Sequence, residues 1–401
     1  MARRPTTSRE IAPPLAAWLA LRSDATLQLA AAAVDPGDVG AVARLRARWP
    51  QAEVAAALSL AEARRRLARK FERAAELWAD REAAEQATSE RVAAWKAMRF
   101  ARAGASAVED RCCGLGGDAM ALTRVATTVA IDRSEVRAWM TSVNAGCAVR
   151  VDDAGEAPLV APFVHVDPAR RDEASGRRTF DLAGLSPSIE CCCSLASSAQ
   201  GGAIKLGPGM PLPLRGDLPG ADRAEIELIS DDGALVQAVC WFGSLAAAPG
   251  LRTATMLPRG VSRSGSPVPT PLAAHGRFGR FLYVPDPAIE RSGLLGDLAR
   301  ELGLGERSPG LGILTSDERV ESAWLVAYEA LARPRARERD VRDALRGLGA
   351  GGARVRTRGR SADADAWTRA LRGDGDVELD VFLLRCGDSL EAIVARPIEP
   401  A

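Results

Sequence analysis

The sequence has little lysine and little histidine for its size. Of the 53 basic residues in the 401-residue chain, only Lys70, Lys96 and Lys205 are lysines. The two histidines, His165 and His275, are too few and too isolated for a metal cluster. Because 52 acidic residues leave a net charge of +1, no global field draws the protein to nucleic acid or membrane. Any basic surface must be local.

Long apolar runs are also missing. No uninterrupted apolar stretch reaches the roughly 18 residues of a membrane-spanning helix, which excludes one. Residues 11–21 faintly resemble a signal peptide, but Glu10 and the pair Pro13-Pro14 interrupt the pattern and no clean cleavage site follows. We therefore expect a cytoplasmic protein without membrane attachment.

The eight cysteines are concentrated in two runs, Cys112-Cys113 and Cys191-Cys192-Cys193. Adjacent cysteines provide neither a disulfide framework nor the spaced pairs of a zinc site. We therefore expect reduced, buried thiols and no metal. The triple cysteine matches no functional pattern, and we assign it no role.

Composition and periodicity divide the chain into four segments. Residues 1–85 predict a helical N-terminal domain, and residues 86–250 alternate short strands with helices. Residues 251–325 predict a linker and a connecting α/β segment, because 246–282 is rich in Pro, Gly and Ser. Residues 326–401 predict a small α/β unit with helices at 338–347 and 362–371 and strands at 353–357, 378–385 and 390–396.

The second segment predicts an α/β fold with a mostly parallel sheet. One strand ends at Asp132 and the next at Asp167, and Val136, Trp139, Met140 and Val143 share one helical face between them. The turn Asp231-Asp232-Gly233 predicts a hairpin that makes the last strand antiparallel. Alternating strands and helices of this kind are typical of a Rossmann-like sheet.

Two basic stretches stand out locally. A helix predicted over 53–78 places Arg65, Arg69 and Arg73 in one row, which is either a solvated face or a stripe that faces phosphates. Between Arg333 and Arg360 there are ten arginines and three acids, giving +7. This second stretch is either a nucleic-acid surface or a surface that pairs with the acids after residue 361.

The most informative motif is Val108-Glu-Asp-Arg-Cys-Cys-Gly-Leu-Gly-Gly-Asp118, a strand followed by a glycine-rich turn and a helix that begins near Gly117. Gly114, Gly116 and Gly117 allow a sharp turn and the close approach of a ligand. A dinucleotide would require GxGxxG, and the acid before this turn, Asp110, would repel a pyrophosphate.

An acid before the turn instead suits an ammonium group. Asp110 would bind the amino group of a methionine-like moiety, and Asp132 at the next strand end would accept hydrogen bonds from ribose hydroxyls. The two acids together favour S-adenosylmethionine over NAD. The alternative is that the glycines serve only a tight turn between strand and helix.

The motif resembles bacterial class I S-adenosylmethionine-dependent methyltransferases that carry a C-terminal THUMP-like domain. This family is related to the guanine methyltransferases that make trimethylguanosine caps on RNA. The similarity covers most of the chain from about residue 50 and continues through Glu85-Gln-Ala-Thr88, Asp132-Arg133, Asn144-Ala145, Val166-Asp-Pro-Ala-Arg-Arg171, Leu185-Ser-Pro, Lys205-Leu-Gly-Pro-Gly209, Tyr283-Val-Pro-Asp-Pro-Ala288, Leu314-Thr-Ser-Asp317 and Arg356-Thr-Arg-Gly359.

The resemblance implies a Rossmann-like methyltransferase sheet over 86–250 and a THUMP-like domain over 326–401. It also implies that S-adenosylmethionine is the cofactor and that the partner is an RNA, either tRNA or rRNA. The cofactor-binding residues that it implies are Gln86 and Thr88 in a covering segment, Asp110, Gly114 and Gly116 in the cofactor loop, Asp132 at the ribose, and Asp152 at the adenine amine.

The resemblance places the methyl acceptor beside Asp167-Pro168-Ala169-Arg170. Methyl transfer from a sulfonium is an in-line displacement that depends on the position of the nucleophile. Asp167 would accept an N–H of an exocyclic amine, and Pro168 would stiffen the turn. Arg170 and Ser186 are the predicted substrate contacts. The alternative is an Asp-Pro turn that merely ends a strand.

Two departures from the family pattern, at residues 111 and 169, keep other functions open. Arg111 replaces an apolar strand residue, so either it distorts the loop or it pairs with an acid. Ala169 supplies no ring to stack a base, and Phe163 or Phe180 would have to replace it. His165 is expected to be a packed strand histidine. The alternatives are a methyltransferase that acts on a protein or small molecule, and a non-catalytic scaffold that binds RNA or cofactor.

Overall fold

The computed structural model describes residues 12–35, 37–169, 182–212, 223–266, 268–358 and 361–399. The chain forms two compact units, the first containing residues 1–224 and 239–249 and the second containing 225–238 and 250–401. The predicted segments 1–85 and 86–250 therefore share the first unit, except for residues 225–238 and 250. Segments 251–325 and 326–401 share the second unit.

The N-terminal helices of the first unit are α1 Leu15–Ser23, α2 Ala25–Ala32, α3 Val39–Arg46, α4 Gln51–Leu67 and α5 Arg81–Gln86. Asp24 and Asp38 begin α2 and α3 by accepting hydrogen bonds from the free amides of the first helical turn, at 2.8 and 2.9 Å. The helices pack around a buried apolar cluster that includes Trp18, Leu27 and Leu60. Helices therefore make up most of the described part of residues 1–85.

The helix predicted over 53–78 ends early, at Leu67. No glycine or proline ends it. Instead the chain turns so that Leu67, Phe71 and Leu77 all enter one apolar cluster with Leu115. The apolar spacing is thus satisfied by packing and not by a continuous helix. The predicted row of arginines is divided as a result, because Arg69 and Arg73 follow the end of α4.

The first unit continues with α6 Glu90–Arg102, β1 Ala107–Arg111, α7 Ala119–Leu122, β2 Thr127–Asp132, α8 Glu135–Ala145, β3 Ala148–Val151, β4 Phe163–Val166, α9 Ile189–Ser198 and β5 Gly201–Leu206. Its strands lie in the order β3-β2-β1-β4-β5, and each neighbouring pair is parallel. The predicted parallel α/β sheet is confirmed. In such sheets ligands bind outside the carboxyl ends of the strands.

The ends of α8 follow ordinary capping chemistry. The Ser134 hydroxyl accepts from the Arg137 amide, and Gly146 closes the helix in the left-handed region at φ 65°. Met140 is buried, with Val136, Trp139 and Val143 packed beside it against the N-terminal helices. The predicted apolar face of this helix is confirmed, and it fixes α8 beside the glycine-rich turn.

The second unit begins with the predicted hairpin. Strand β6 Glu225–Asp231 is followed by β7 Ala234–Gly243. The residues of β7 from Val239 onward belong to the first unit, where β7 is the strand next to β5. Asp232 and Gly233 have φ values of 48° and 76°, as a two-residue hairpin turn requires. A two-residue turn joins antiparallel strands, so the predicted reversal is present.

The predicted linker is wrong for residues 252–265. They form β8 Arg252–Leu257, which is wholly buried and parallel to β6, and β9 Val261–Gly265, which is antiparallel to β8. Pro258-Arg259-Gly260 is the turn between them, with Gly260 at φ 67°. Proline and glycine therefore mark a hairpin turn here, which their local signal does not distinguish from a linker.

The rest of the second unit consists of β10 Ala273–Ala274, β11 Phe281–Pro285, α10 Pro287–Arg291, α11 Leu295–Glu301, β12 Gly305–Glu306, β13 Leu314–Ser316, β14 Leu325–Ala332, α12 Glu338–Gly347, β15 Ala350–Thr357, α13 Ala364–Ala370, β16 Val377–Cys386 and β17 Ser389–Pro397. One sheet has the order β10-β12-β13-β11-β14-β17-β16-β15. The helices and strands predicted for the C-terminal unit are confirmed to within three residues.

All eight cysteines carry free thiols, as predicted. Among the described residues, no helix combines the length and the apolar content needed to cross a bilayer. The same part of the chain contains no group of three His, Cys, Asp or Glu side chains placed to hold a metal ion.

Replacement of Gly202 tests the packing of α9 on β5. A Cβ at Gly202 would lie 2.5 Å from the Ala196 Cα, so Gly202→Ala forces backbone apart. We expect a loss of about 1–3 kcal/mol in the free energy of unfolding, measured by urea denaturation. Gly347→Ala is the matched control, because nothing lies within 4 Å of its Cβ position at the end of α12. A Gly202→Ala protein as stable as wild type would contradict this packing.

Candidate functional site

A cleft opens in the first unit at the carboxyl ends of β1, β2, β4 and β5. Beside it lie the glycine-rich turn after β1 and the segment that follows α5. Most of the predicted site residues line this cleft: Gln86, Thr88, Asp110, Gly114, Asp132, Asp167, Pro168 and Ser186. The two acids on which the cofactor prediction depends therefore share one cleft.

The other predicted site residues lie elsewhere. Gly116 is not a cleft residue, and its φ of 89° and the Thr141 atoms 3.1–3.2 Å from its Cβ position show that it packs the turn against α8. Asp152 does not line the cleft. It pairs with Arg150 at 2.7 Å, and Asp153 lines the cleft in its place. Arg170, like Phe180, lies outside the described residues.

Asp132, the last residue of β2, holds the glycine-rich turn that follows β1. Its Oδ2 accepts a hydrogen bond of 3.0 Å from the Gly114 amide, and its Oδ1 accepts one of 2.9 Å from the Ser134 amide. Gly114 has φ 61°, which favours glycine. Gly117 lets the turn approach the covering segment, since a Cβ there would lie 3.2 Å from the Thr88 carbonyl oxygen.

Behind the turn lies a chain of buried polar side chains. The Thr88 hydroxyl donates to Asp118 Oδ2 at 2.8 Å, and Lys96 Nζ donates to Asp118 Oδ1 at 2.7 Å. Lys96 Nζ is also 3.1 Å from His165 Nε2, and His165 Nδ1 is 2.7 Å from Asp110 Oδ1. A charged ammonium only donates, so His165 accepts at Nε2 and donates from Nδ1 to Asp110. This arrangement connects the acids on both sides of the turn.

Burial and pairing shift the proton affinities along this chain. Desolvation lowers the pKa of Lys96, although Asp118 opposes the shift. Burial disfavours ionisation of Asp118, but its neighbours, above all the Lys96 ammonium, outweigh this effect and hold the pKa of Asp118 well below its usual value. Desolvation raises the pKa of Asp110, against the hydrogen bond from His165.

One oxygen of Asp110 lacks a protein partner. Asp110 Oδ2 is buried and makes no hydrogen bond within the described part of the chain, whereas Oδ1 is bound to His165. A buried carboxyl oxygen without a donor costs free energy. Because Asp110 lines the cleft, a cationic N–H donor bound there would satisfy this oxygen.

Arg111 does not fill the cleft. Its side chain is fully buried and donates to Glu109 Oε2 at 2.8 and 2.6 Å and to the carbonyls of Ala154 and Ala157 at 2.7 and 2.8 Å. Of the two predicted alternatives, pairing with an acid is confirmed. Glu109 and Arg111 share one face of β1, opposite Asp110, because side chains alternate along a strand.

The acceptor loop, residues 167–169, is fixed from two sides. The Asp167 amide donates to the Arg111 carbonyl at 3.0 Å, and Ala169 and Ser186 exchange two backbone hydrogen bonds of 2.8 and 3.0 Å. Lys205 Nζ lies 2.6 Å from Asp167 Oδ2. The predicted contact residue Ser186 is thus brought to the acceptor loop.

Sequence reasoning did not identify three polar residues of this site, Lys96, Asp118 and Lys205. The scarcity of lysine was the available signal. Lys70, the remaining lysine, donates to the carbonyls of Ala84, Glu85 and Ala87 at 2.8–3.0 Å. All three lysines therefore hold elements of the cleft, in a chain whose other cations are arginines.

Three arginines of the C-terminal basic stretch form ion pairs within the second unit, namely Arg354 with Glu378, Arg356 with Asp380 and Arg358 with Glu290. The predicted pairing with acids after residue 361 is confirmed for Arg354 and Arg356, whereas the partner of Arg358 precedes the stretch.

Comparisons with known proteins identify relatives of similar length. Two curated proteins from two Mycobacterium tuberculosis strains, each named an uncharacterized S-adenosylmethionine-dependent methyltransferase, are 31% identical over 328 residues, 79% of this chain and 88% of theirs. The crystal structure of a "putative methyltransferase" from Porphyromonas gingivalis W83 has the same fold, with a TM-score of 0.67, 18% identity, and coverage of 88% of this chain and 92% of that one. A scan against protein-family models found no match.

The buried pair Glu109–Arg111 gives a stability test. Arg111→Met leaves a buried carboxylate without its cation, and we expect a loss of about 3–5 kcal/mol in the free energy of unfolding, measured by urea denaturation. Glu109→Gln in the same protein removes that charge and should restore part of the loss. Arg65→Met, at an exposed position of α4, is the control and should stay within about 0.5 kcal/mol of wild type. An Arg111→Met protein as stable as this control would show that the pair contributes nothing.

Proposed function

The chain belongs to the family of S-adenosylmethionine-dependent methyltransferases, and we propose that it uses the cleft described above to methylate a nitrogen atom of a base in RNA. It is a transferase, and its cofactor is S-adenosylmethionine. The cofactor, when bound, supplies an electrophilic methyl group on a sulfonium. The residues of this chain bind it, orient the acceptor and remove competing water.

The position of the cofactor rests on Asp110 Oδ2, the buried oxygen without a protein partner. The ammonium of the methionine moiety satisfies that oxygen. Asp132, which already orders the turn through the Gly114 amide, accepts from the ribose hydroxyls. Gln86, the last residue of α5, and Thr88, just after it, cover the cofactor, and Gly114 gives it close access to the backbone. The residues present therefore fit this cofactor.

The predicted contact to adenine is reassigned from Asp152 to Asp153. Asp153 lines the cleft, whereas Asp152 is bound to Arg150. We therefore assign the adenine amine to Asp153. The connection between α8 and β4 is short, so the sequence constrained the position of the adenine contact less than that of the other site residues. An error of one residue in that position is consistent with this.

The acceptor lies at Asp167. One carboxylate oxygen is bound to Lys205, which leaves the other to accept an N–H of the acceptor amine. That hydrogen bond orients the nitrogen lone pair toward the methyl group. Pro168 and Ser186 line the same part of the cleft. An exocyclic base nitrogen has the required N–H, and the THUMP-like resemblance of the C-terminal unit favours RNA by analogy of fold.

A second acceptor class, a protein or small-molecule nitrogen, is favoured by one observation. The arginines at 354, 356 and 358 form ion pairs with acids of their own unit, which lowers the net positive charge that they offer to phosphates. Ala169, which offers no ring for base stacking, is consistent with the same alternative. The scaffold alternative loses the support of Arg111, because that side chain is bound on the other face of β1.

Cofactor binding is tested at the two acids. We expect Asp132→Ala and Asp110→Asn each to weaken S-adenosylmethionine binding by about tenfold or more, because each removes a charge-assisted hydrogen bond, with affinity measured by isothermal titration calorimetry. Asp152→Asn is the matched control and should stay within about threefold of wild type, since Asp152 does not line the cleft. Wild-type affinity in Asp132→Ala would place the cofactor elsewhere.

The RNA substrate is tested by nucleoside mass spectrometry of total RNA from cells with and without the gene. We expect one base-methylated nucleoside to disappear without the gene, to return with the wild-type gene or with Asp152→Asn, and not to return with Asp167→Ala. If no methylated nucleoside changes, the RNA proposal is wrong. Transfer of labelled methyl groups to the protein or metabolite fraction of a ribonuclease-treated extract would then support the second acceptor class.

A further inference from the structure

Lys205, at the carboxyl end of β5, contacts both walls of the cleft. Its Nζ donates to Asp167 Oδ2 at 2.6 Å and to the Gln86 carbonyl at 3.3 Å, and the residue is 8% exposed. Asp167 belongs to the acceptor loop and Gln86 to the covering segment, residues 83–88. Among the described residues, this side chain therefore joins the part of the cleft proposed for the methyl acceptor to the part proposed for the cofactor.

The covering segment is held by ammonium groups. Lys70 binds the carbonyls of Ala84, Glu85 and Ala87 on one side. The intervening carbonyl, that of Gln86, is the one that Lys205 binds from the cleft. At the end of the segment the Thr88 hydroxyl is bound to Asp118. A shift of this segment therefore moves the Gln86 carbonyl oxygen, which accepts one of the Lys205 hydrogen bonds.

The acceptor carboxylate depends on the same ammonium group for its orientation. The side chain of Asp167 is 28% exposed, and its backbone is fixed by Arg111 and by the pairing of Ala169 with Ser186. The backbone contacts set where the loop lies but leave the carboxylate free to rotate. The contact with Lys205 selects one rotation and leaves the other oxygen for a ligand.

We propose that Lys205 is a positioning residue that couples the covering segment to the acceptor carboxylate, so that a cofactor held under residues 83–88 also orders Asp167. This inference rests on the proposed function of the cleft as the cofactor site. An ammonium has three donors and can bind a carboxylate and a carbonyl at once. Coupling between two binding regions is reciprocal, so an ordered acceptor loop also strengthens cofactor binding.

The test is hydrogen exchange of the full-length chain with and without S-adenosylhomocysteine, compared between wild type and Lys205→Met. Methionine keeps the length and apolar stem of lysine, and it removes both the cation that pairs with the partly exposed Asp167 carboxylate and the donor to the Gln86 carbonyl. In wild type we expect the ligand to slow exchange of amides 83–88 and of the amides of Asp167, Ala169 and Ser186. In Lys205→Met we expect slowing of 83–88 alone, with ligand affinity within about tenfold of wild type. Lys205→Arg retains the charge and should restore part of the effect.

The outcomes separate the inference from the function on which it rests. If Lys205→Met still shows slowing in both regions, or if wild type shows none in the acceptor loop, the coupling is disproved. If Lys205 has only a structural role, Lys205→Met should speed exchange of the covering segment and of the acceptor loop even without ligand, and Lys205→Arg should restore nothing. That result would also overturn the proposal. If wild type does not bind S-adenosylhomocysteine at all, the cofactor site itself is wrong. Once an acceptor is known, Lys205→Met should lower kcat by up to about 100-fold and change KM for S-adenosylmethionine less.

Discussion

The ammonium of Lys96 is the interaction on which the site depends. It lies in the interior between Asp118, which follows the glycine-rich turn, and His165, which holds the acid before that turn. Burial of an ammonium is expensive unless every donor is matched, and here a carboxylate and an imidazole nitrogen accept from it. Because Thr88 binds the same carboxylate, one buried charge connects the turn, the Asp110 carboxyl and the covering segment.

The choice of lysine at three positions follows from geometry. A guanidinium is a planar fork suited to one carboxylate, whereas an ammonium is a compact charge whose three donors point in different directions. Lys70 meets three carbonyls, Lys96 meets a carboxylate and an imidazole, and Lys205 meets a carboxylate and a carbonyl. The acceptors of Lys96 and of Lys205 come from different chain segments, whereas the three carbonyls that Lys70 binds all belong to the covering segment. At all three positions a compact cation meets acceptors that lie in different directions.

The parts of this site that the sequence predicts are those set by local rules. Asp110 and Asp132 lie at or next to the carboxyl ends of two strands of the predicted parallel sheet, and such ends meet at one edge of the sheet. The early end of α4 at Leu67 and the hairpin after Leu257 were missed because packing overrides local propensity and because prolines mark hairpins as well as linkers. The pair of Lys205 with Asp167 needs the order of β4 and β5, which residue spacing alone does not give.

The side chains on the two faces of strand β1 have different surroundings. On one face Glu109 and Arg111 bind the loop over residues 154–161, where Glu109 accepts from the amides of Val160 and Ala161. On the other face Asp110 keeps one oxygen for a ligand. The Arg111 side chain therefore lies on the face of β1 opposite Asp110, so this arginine in an apolar strand position does not argue against the proposed cofactor site. The missing ring at residue 169 bears on the proposed acceptor, because the proposed cofactor contacts are the acids of β1 and β2.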